Sequence, residues 1–276
     1  MNALPLAFLT LAACTNHFGV AREGGYLWVP PTTFDMGCTP GQWSCWDDET
    51  QHPVSLTRGF LVGATEVTQV QFEQTMGYDP AYFTTCDTYG ADCPVEQVSW
   101  HQAAAYANAL SAAAGMKECY ECTGTDLKVQ CEVSVNPYDC TGYRLLTEAE
   151  WEAAARCGED LEYAGSNDIL SVGWVDENSD STTHRAADLD ANACGIYDMS
   201  GNVWEWTQDW YEPYQSSDPA WDPVYDPAGP DSGTVRVYRG GGWTFDASYS
   251  RISNRFNDLP DRTSNGLGFR VGRSAN

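Results

Sequence analysis

Eleven cysteines in 276 residues constrain this chain more than any other feature, because ten of them lie beyond Cys14 and paired thiols make a covalent framework. Those ten are Cys38, Cys45, Cys86, Cys93, Cys119, Cys122, Cys131, Cys140, Cys157 and Cys194. Five disulfides formed in an oxidising compartment would each stabilise the fold by roughly 2–4 kcal/mol through loop closure. Short loops suggest Cys38–Cys45 and Cys86–Cys93. Cys119, Cys122, Cys131 and Cys140 are expected to pair among themselves across a polar insertion near 117–141, with partners that spacing does not choose. A zinc site at these four thiols is the competing reading. Cys119 and Cys122 also have the spacing of a redox pair, but no thioredoxin-like pattern surrounds them.

The amino terminus points to the same compartment. Residues 3–13 form an apolar run too short to span a bilayer, ending in Leu11-Ala12-Ala13-Cys14. This segment resembles a bacterial lipoprotein signal, which implies removal of residues 1–13, lipidation of Cys14 and a short tether over 14–24. The pattern departs from that signal in having no Lys or Arg after Met1. A chain anchored to the bacterial cell envelope through lipidated Cys14, facing the periplasm or the exterior, is the expectation; a freely secreted chain is the alternative. Thirty-nine acidic against 14 basic side chains give a formal charge of −25. That balance excludes a basic footprint for nucleic acid and leaves the lipid as the expected membrane contact. Seven of the twelve arginines fall in the last 41 residues, so the C-terminal part is much less acidic than the rest.

One domain over about 25–276 is expected, since no linker or repeat divides the chain. Tyr26 to Met36, interrupted by Pro30-Pro31, and Phe60 to Val67 read as strand regions. Three helix starts carry a hydroxyl cap with Gln or Glu three residues on: Thr68 with Gln71, Ser99 with Gln102, and Thr147 with Glu150. The last 110 residues, rich in Gly, Asn, Asp and aromatics, should be loops and short strands.

The sharpest local signal is Asp198-Met199-Ser200-Gly201-Asn202-Val203-Trp204-Glu205-Trp206. Asp198 and Glu205 bracket a turn whose carbonyls at Gly201 and Val203 can point to one centre, an all-oxygen shell of the kind calcium favours. The plainer alternative is that both acids cap turns. Further on come Arg239-Gly240-Gly241-Gly242-Trp243, Asn254-Arg255 and Gly266-Leu267-Gly268-Phe269-Arg270. Glycines there permit close backbone approach, and the arginines can fasten acidic loops by paired hydrogen bonds.

Together with Gly37 and Tyr143 to Glu152, these segments resemble the sulfatase-modifying-factor, or formylglycine-generating-enzyme, family over about residues 25–273. The resemblance implies an irregular α+β domain related to the C-type lectin fold, with little regular secondary structure. It implies calcium at Asp198 and Glu205, with the Gly201 and Val203 carbonyls; a second family calcium site is not clearly matched around 167–178. Members that make formylglycine bind copper(I) through two cysteines five residues apart, just after the glycine motif. The matching positions here are Phe245 and Ser250, and Gly242 replaces a serine common in the family. Neither an aromatic ring nor a hydroxyl replaces a soft thiolate, so copper chemistry is not expected.

The sequence therefore points to a noncatalytic exported binding or accessory protein on this scaffold. An exported peptide, protein or glycan would be its partner. The alternative is a metal-dependent oxidoreductase using nonheme iron, although His17, His52, His101 and His184 form no close pair in sequence. No catalytic residue is assigned. Asp246, Ser248, Tyr249, Ser250, Arg251, Asn254 and Arg255 are the candidates for a ligand-facing loop; the alternative is that they close the domain.

Overall fold

In the computed structural model three helices begin at the hydroxyls that the sequence marks. Thr68 starts α1 (Gln69–Met76), Ser99 starts α2 (Trp100–Ala113) and Thr147 starts α3 (Glu148–Arg156). Each is a complete capping box: the hydroxyl accepts the backbone N–H three residues on, and the Gln or Glu there accepts the N–H of the cap residue. The structure describes residues 22, 23, 25–39, 41–86, 92–214 and 223–275. The expected signal peptide, Cys14 and His17 lie outside the described residues. No helix among those described is long and apolar enough to cross a membrane.

Short strands surround the helices. Before α1 come β1 (Arg22–Glu23), β2 (Tyr26–Val29), β3 (Thr32–Met36), β4 (His52–Leu56) and β5 (Phe60–Gly63). Pro30-Pro31 separates β2 from β3, as proline's missing N–H requires. Between α2 and α3 lie β6 (Tyr120–Thr123), β7 (Gln130–Val133) and β8 (Tyr143–Leu145). A four-residue helix, α4 (Ile169–Val172), precedes β9 (Trp204–Trp210), β10 (Val224–Tyr225), β11 (Arg236–Arg239), β12 (Arg255–Asp258), β13 (Leu267–Phe269) and β14 (Val271–Ser274).

One sheet runs β1-β2-β5-β14-β8 and so brings the two ends of the domain side by side. A second runs β12-β11-β9-β13, with β9 and β13 parallel, and a small one runs β10-β4-β3. Leu27, Val29, Phe60 and Val62 of the first sheet pack with Trp151 and the alanines of α3, while Trp204, Trp206 and Phe269 of the second pack with α2. Each fully buried large apolar side chain contributes about 1.5–3 kcal/mol.

The disulfides staple the loops between these layers. Cys38–Cys45 and Cys86–Cys93 form as short-loop pairing suggested, and the fifth pair is Cys157–Cys194. In the insertion, Cys119 joins Cys140 and Cys122 joins Cys131 across the β6–β7 hairpin. Both competing ideas are thereby corrected: the four sulfurs bond in pairs and leave no thiolates for zinc, and Cys119 and Cys122 do not pair with each other. The hairpin also does not stand apart, because Cys119, Tyr120 and Cys131 are buried in the core around α2.

Candidate functional site

The C-terminal glycine turn follows β11 and packs on the Asp198 to Trp206 segment. Gly201 donates its N–H to the Gly240 carbonyl at 2.7 Å, and Trp243 donates its own to Asn202 at 2.9 Å. Gly241 has φ +76°, and a Cβ there would sit 2.1 Å from Ser250 Oγ and 2.7 Å from Ser250 Cα. Glycine is therefore required on both steric and conformational grounds.

Phe245 and Ser250 occupy different environments. Ser250 is fully buried under Gly241, and its hydroxyl has no hydrogen-bond partner. Phe245 is half-buried and meets Trp204 at 5.5 Å and Tyr249 at 5.1 Å between ring centres. A copper(I) ion does not fit this donor set, since one position offers a hydrocarbon ring and the other a hard hydroxyl. All ten cysteines beyond Cys14 are held in disulfides, so no other thiolate pair substitutes.

Around Phe245 stands a surface of rings. Tyr249 lies 5.6 Å from Trp46 and 6.4 Å from Phe256, and Phe256 lies 5.7 Å from both Trp204 and Tyr238. Trp46 is 43% exposed, while Tyr238, Phe245, Tyr249 and Phe256 are half-buried over the buried Trp204. The buried Trp204 Nε1 has no acceptor. Asp246 and Ser248 flank this surface; the Asp246 carboxylate accepts the Ser248 N–H at 2.9 Å and its hydroxyl.

Arg251, Asn254 and Arg255 must be reassigned. They are 0%, 1% and 3% exposed, and their polar groups are spent on carboxylates inside the domain. Arg251 forms a two-pronged pair with Glu49 at 2.5 and 2.7 Å, and Ser253 and Asn254 donate to the same carboxylate at 2.7 and 3.1 Å. Burial pushes the Glu49 carboxyl up, but Arg251 and the two other donors hold it below its ordinary value. The loop carrying Trp46 is thus clasped to the loop carrying Tyr249. Arg255 grips Glu148 through Nε and Nη2 at 2.9 and 2.7 Å, and Arg239 reaches both Glu148 and Glu152. These partners lie more than 80 residues away in sequence, so local pattern gave no sign of them.

The Asp198 turn gathers buried charge. Arg270 takes both oxygens of Glu205 at 2.7 and 2.6 Å, and Trp151 Nε1 donates to one of them at 2.7 Å. Asp198, at φ +58°, accepts the Ala187 N–H at 2.7 Å and hydrogen-bonds to Glu66, which sequence reading had passed over. Glu66 accepts from Asn202 at 3.0 Å through one oxygen, while the other is buried without a partner. Three carboxylates here share one guanidinium. Burial, with Asp198 and Glu205 nearby, drives the Glu66 carboxyl well above its ordinary value, and burial pushes Asp198 up to about 6. Hard oxygens, surplus negative charge and an orphaned carboxylate oxygen suit calcium in kind, although the oxygens of Glu66, Asp198 and Glu205 do not all converge on one point. Glu205 differs from expectation in spending both oxygens on Arg270, so Asp198 and Glu66 hold the remaining capacity.

Histidines are engaged separately. His101 Nδ1 meets the Cys131 backbone, His184 stacks on Trp174 at 3.7 Å, and His52 Nδ1 meets the Thr50 carbonyl at 3.0 Å. Among the described residues, three potential metal-ligating side chains converge only at Cys38, Cys45 and Glu49, where both sulfurs are in a disulfide.

Over residues 14–275 the sequence matches the sulfatase-modifying factor enzyme 1-like domain. The chain belongs to this family. It is 33% identical over 223 residues to a chaperone protein LppX of Paenibacillus barcinonensis, covering 70% of this chain and 72% of that one. It is 30% identical over 290 aligned positions to a formylglycine-generating enzyme of Streptomyces coelicolor, covering 91% and 90%. Treponema denticola variable protein 1 superposes with a TM-score of 0.78 at 30% identity, over 93% of this chain and 99% of that one. The sulfatase-modifying factor domain described here accordingly has the irregular α+β fold that its motifs implied, with the C-type lectin relationship of that family.

Proposed function

We propose that this sulfatase-modifying factor domain is an exported, noncatalytic binding or accessory protein that engages a peptide, protein or glycan partner through the surface formed by Trp46, Tyr238, Phe245, Tyr249 and Phe256. The observation that carries the proposal is the aromatic surface built around Phe245, the position at which the family resemblance implies a copper thiolate. Stacked and edge-on rings offer large contact area at small conformational cost, and the Glu49 clasp fixes their arrangement before a partner arrives. Five disulfides support an oxidising, exported location, and anchoring through lipidated Cys14 belongs to the same proposal. The chaperone name of the Paenibacillus relative supports an accessory role.

Calcium at Asp198 and Glu66, with the Gly201 and Val203 carbonyls, is also proposed, with Glu205 holding Arg270 beside it. Such an ion would neutralise the surplus carboxylate charge and hold the turn beneath the glycine loop. Its role would be structural.

The test is capture of exported peptides and glycans by the intact domain, with W46A and Y249A as the variants, alongside a peptide-thiol oxidation assay with copper supplied. Binding lost in both variants at unchanged fold supports the proposal. Conversion of a peptide thiol to an aldehyde, or binding indifferent to both substitutions, overturns it.

A further inference from the structure

Among the described residues seven arginines are buried, and six of them close an ion pair with a carboxylate. Arg236 does not. Its side chain is 2% exposed and sandwiched between two indoles, with the guanidinium carbon 3.9 Å from the Trp100 ring centre and 3.4 Å from that of Trp210. It donates from Nη1 to the Gln208 carbonyl at 2.7 Å, and its Nε is buried with no acceptor. A guanidinium carries five N–H donors, and the Nε–H of this one is unsatisfied. Beside it lies a cavity of about 360 Å³, lined by Arg236, Gln208, Trp210, Ser134 and Asn136.

We propose that this cavity binds a carboxylate, with the Arg236 guanidinium as its anchor and the Trp210 indole as its apolar wall. Two parallel N–H donors match the two oxygens of a carboxylate, and the indoles hold the fork in place. The surroundings select single over double negative charge: Glu132 and Asp231 line the same cavity and oppose a dianion such as phosphate. Asp209 does not serve as the missing counterion. Its carboxylate accepts the Glu148 N–H at 2.7 Å and closes no ion pair with Arg236, and burial, with the Glu148 charge, pushes it up to about 8. Burial likewise pulls Arg236 down to about 10, the direction expected of a guanidinium that lacks its anion. The site is separate from the aromatic surface and does not depend on its function.

Two sources share this chemistry, a free small carboxylate and the C-terminal carboxylate of a peptide. The full exported chain is titrated with acetate, with the tripeptide Gly-Gly-Ala and with its C-terminal amide, following the Arg236 Nε–H resonance and the melting temperature. Saturable shifts with an acid, none with the amide, and affinity at least about tenfold weaker in R236K support the proposal. S134W, which places an indole at the exposed rim of the cavity, should abolish the response at unchanged fold and covers the case in which R236K does not fold. Response to acetate as well as tripeptide assigns a small carboxylate; response to the tripeptide alone assigns a peptide terminus. Equal binding of acid and amide, full binding by S134W, or no saturable response to either acid up to about 50 mM overturns it.

Discussion

Replacing Arg255 by methionine separates a ligand-facing residue from a buried fastener. On an exposed loop the change would cost well under 1 kcal/mol. In the structure Arg255 is 3% exposed, holds both oxygens of the buried Glu148, and donates to the Glu212 carbonyl at 2.9 Å. Arg239 remains on Glu148 at 3.1 Å, but its other carboxylate partner is Glu152, so losing Arg255 leaves Glu148 underpaired. Removing one partner of such a pair costs about 3–5 kcal/mol, chiefly the desolvation of the charge left behind. For a domain of this size that corresponds to a melting temperature lower by about 6–20 °C. E148Q strands Arg255 and should cost about the same, whereas E148Q with R255M removes both charges and should cost less than the sum of the single changes. R58A is the control: Arg58 and Asp139 pair at 2.9 Å with side chains 54% and 62% exposed, so solvent screening leaves the pair little to contribute and its loss should barely move the midpoint. Urea unfolding with disulfides intact measures all four variants. If R255M and E148Q each cost less than about 1 kcal/mol, or if the double variant is additive, the burial argument fails.

Stability should fall as pH rises from about 5 to 8. Burial raises Asp209 to about 8, Glu96 to about 7 and Asp198 to about 6, so each folded group prefers its proton. Their contribution is complete below the unfolded values of 3.8 for Asp and 4.5 for Glu, and is lost as pH climbs through the folded ones. Glu49 and Glu148 have the opposite sign, since Arg251 and the Arg255–Arg239 pair outweigh burial; their contribution is complete above the unfolded 4.5 and is lost as pH falls through their lower folded values. Denaturation midpoints across pH 3–9 check this, and a profile rising steadily from 5 to 8 would contradict it. S250A removes a buried hydroxyl without a partner and should stabilise by about 1 kcal/mol, while G241A meets Ser250 in a left-handed backbone and should destabilise by more than about 2 kcal/mol; unfolding curves in which G241A is neutral would refute the close approach. Unfolded without reductant, the chain should show no reactive thiol among its ten cysteines beyond Cys14, and two or more free thiols per chain would break the assigned pairing. Calcium should raise the melting temperature at neutral pH, and D198N should remove the effect; a shift unchanged in D198N would place the ion elsewhere.

Local chemistry made part of this molecule readable from its residues. The capping boxes at Thr68, Ser99 and Thr147 need only a hydroxyl and a partner three residues on, and all three formed. Disulfides across seven-residue separations were equally legible, as were the Asp198 to Trp206 motif and the loss of thiols at Phe245 and Ser250. Glu66, Trp46 and the isolation of Arg236 carried no comparable signal. Glu66 joins Asp198, and Trp46 joins Tyr249, only after distant segments fold together.

Arg251, Asn254 and Arg255 show where sequence stops. Their polar character suggested a wet, ligand-facing loop, but the carboxylates that bury them come from Glu49 and Glu148, some 200 and 107 residues away. The sequence by itself determined the helix starts, the disulfide-bearing loops and the family scaffold. Tertiary structure alone decided which charges lie inside, which rings form a surface and which arginine has no carboxylate. A side chain's burial and electrostatic partner are set by what folds over it, and that is not a property of its neighbours along the chain.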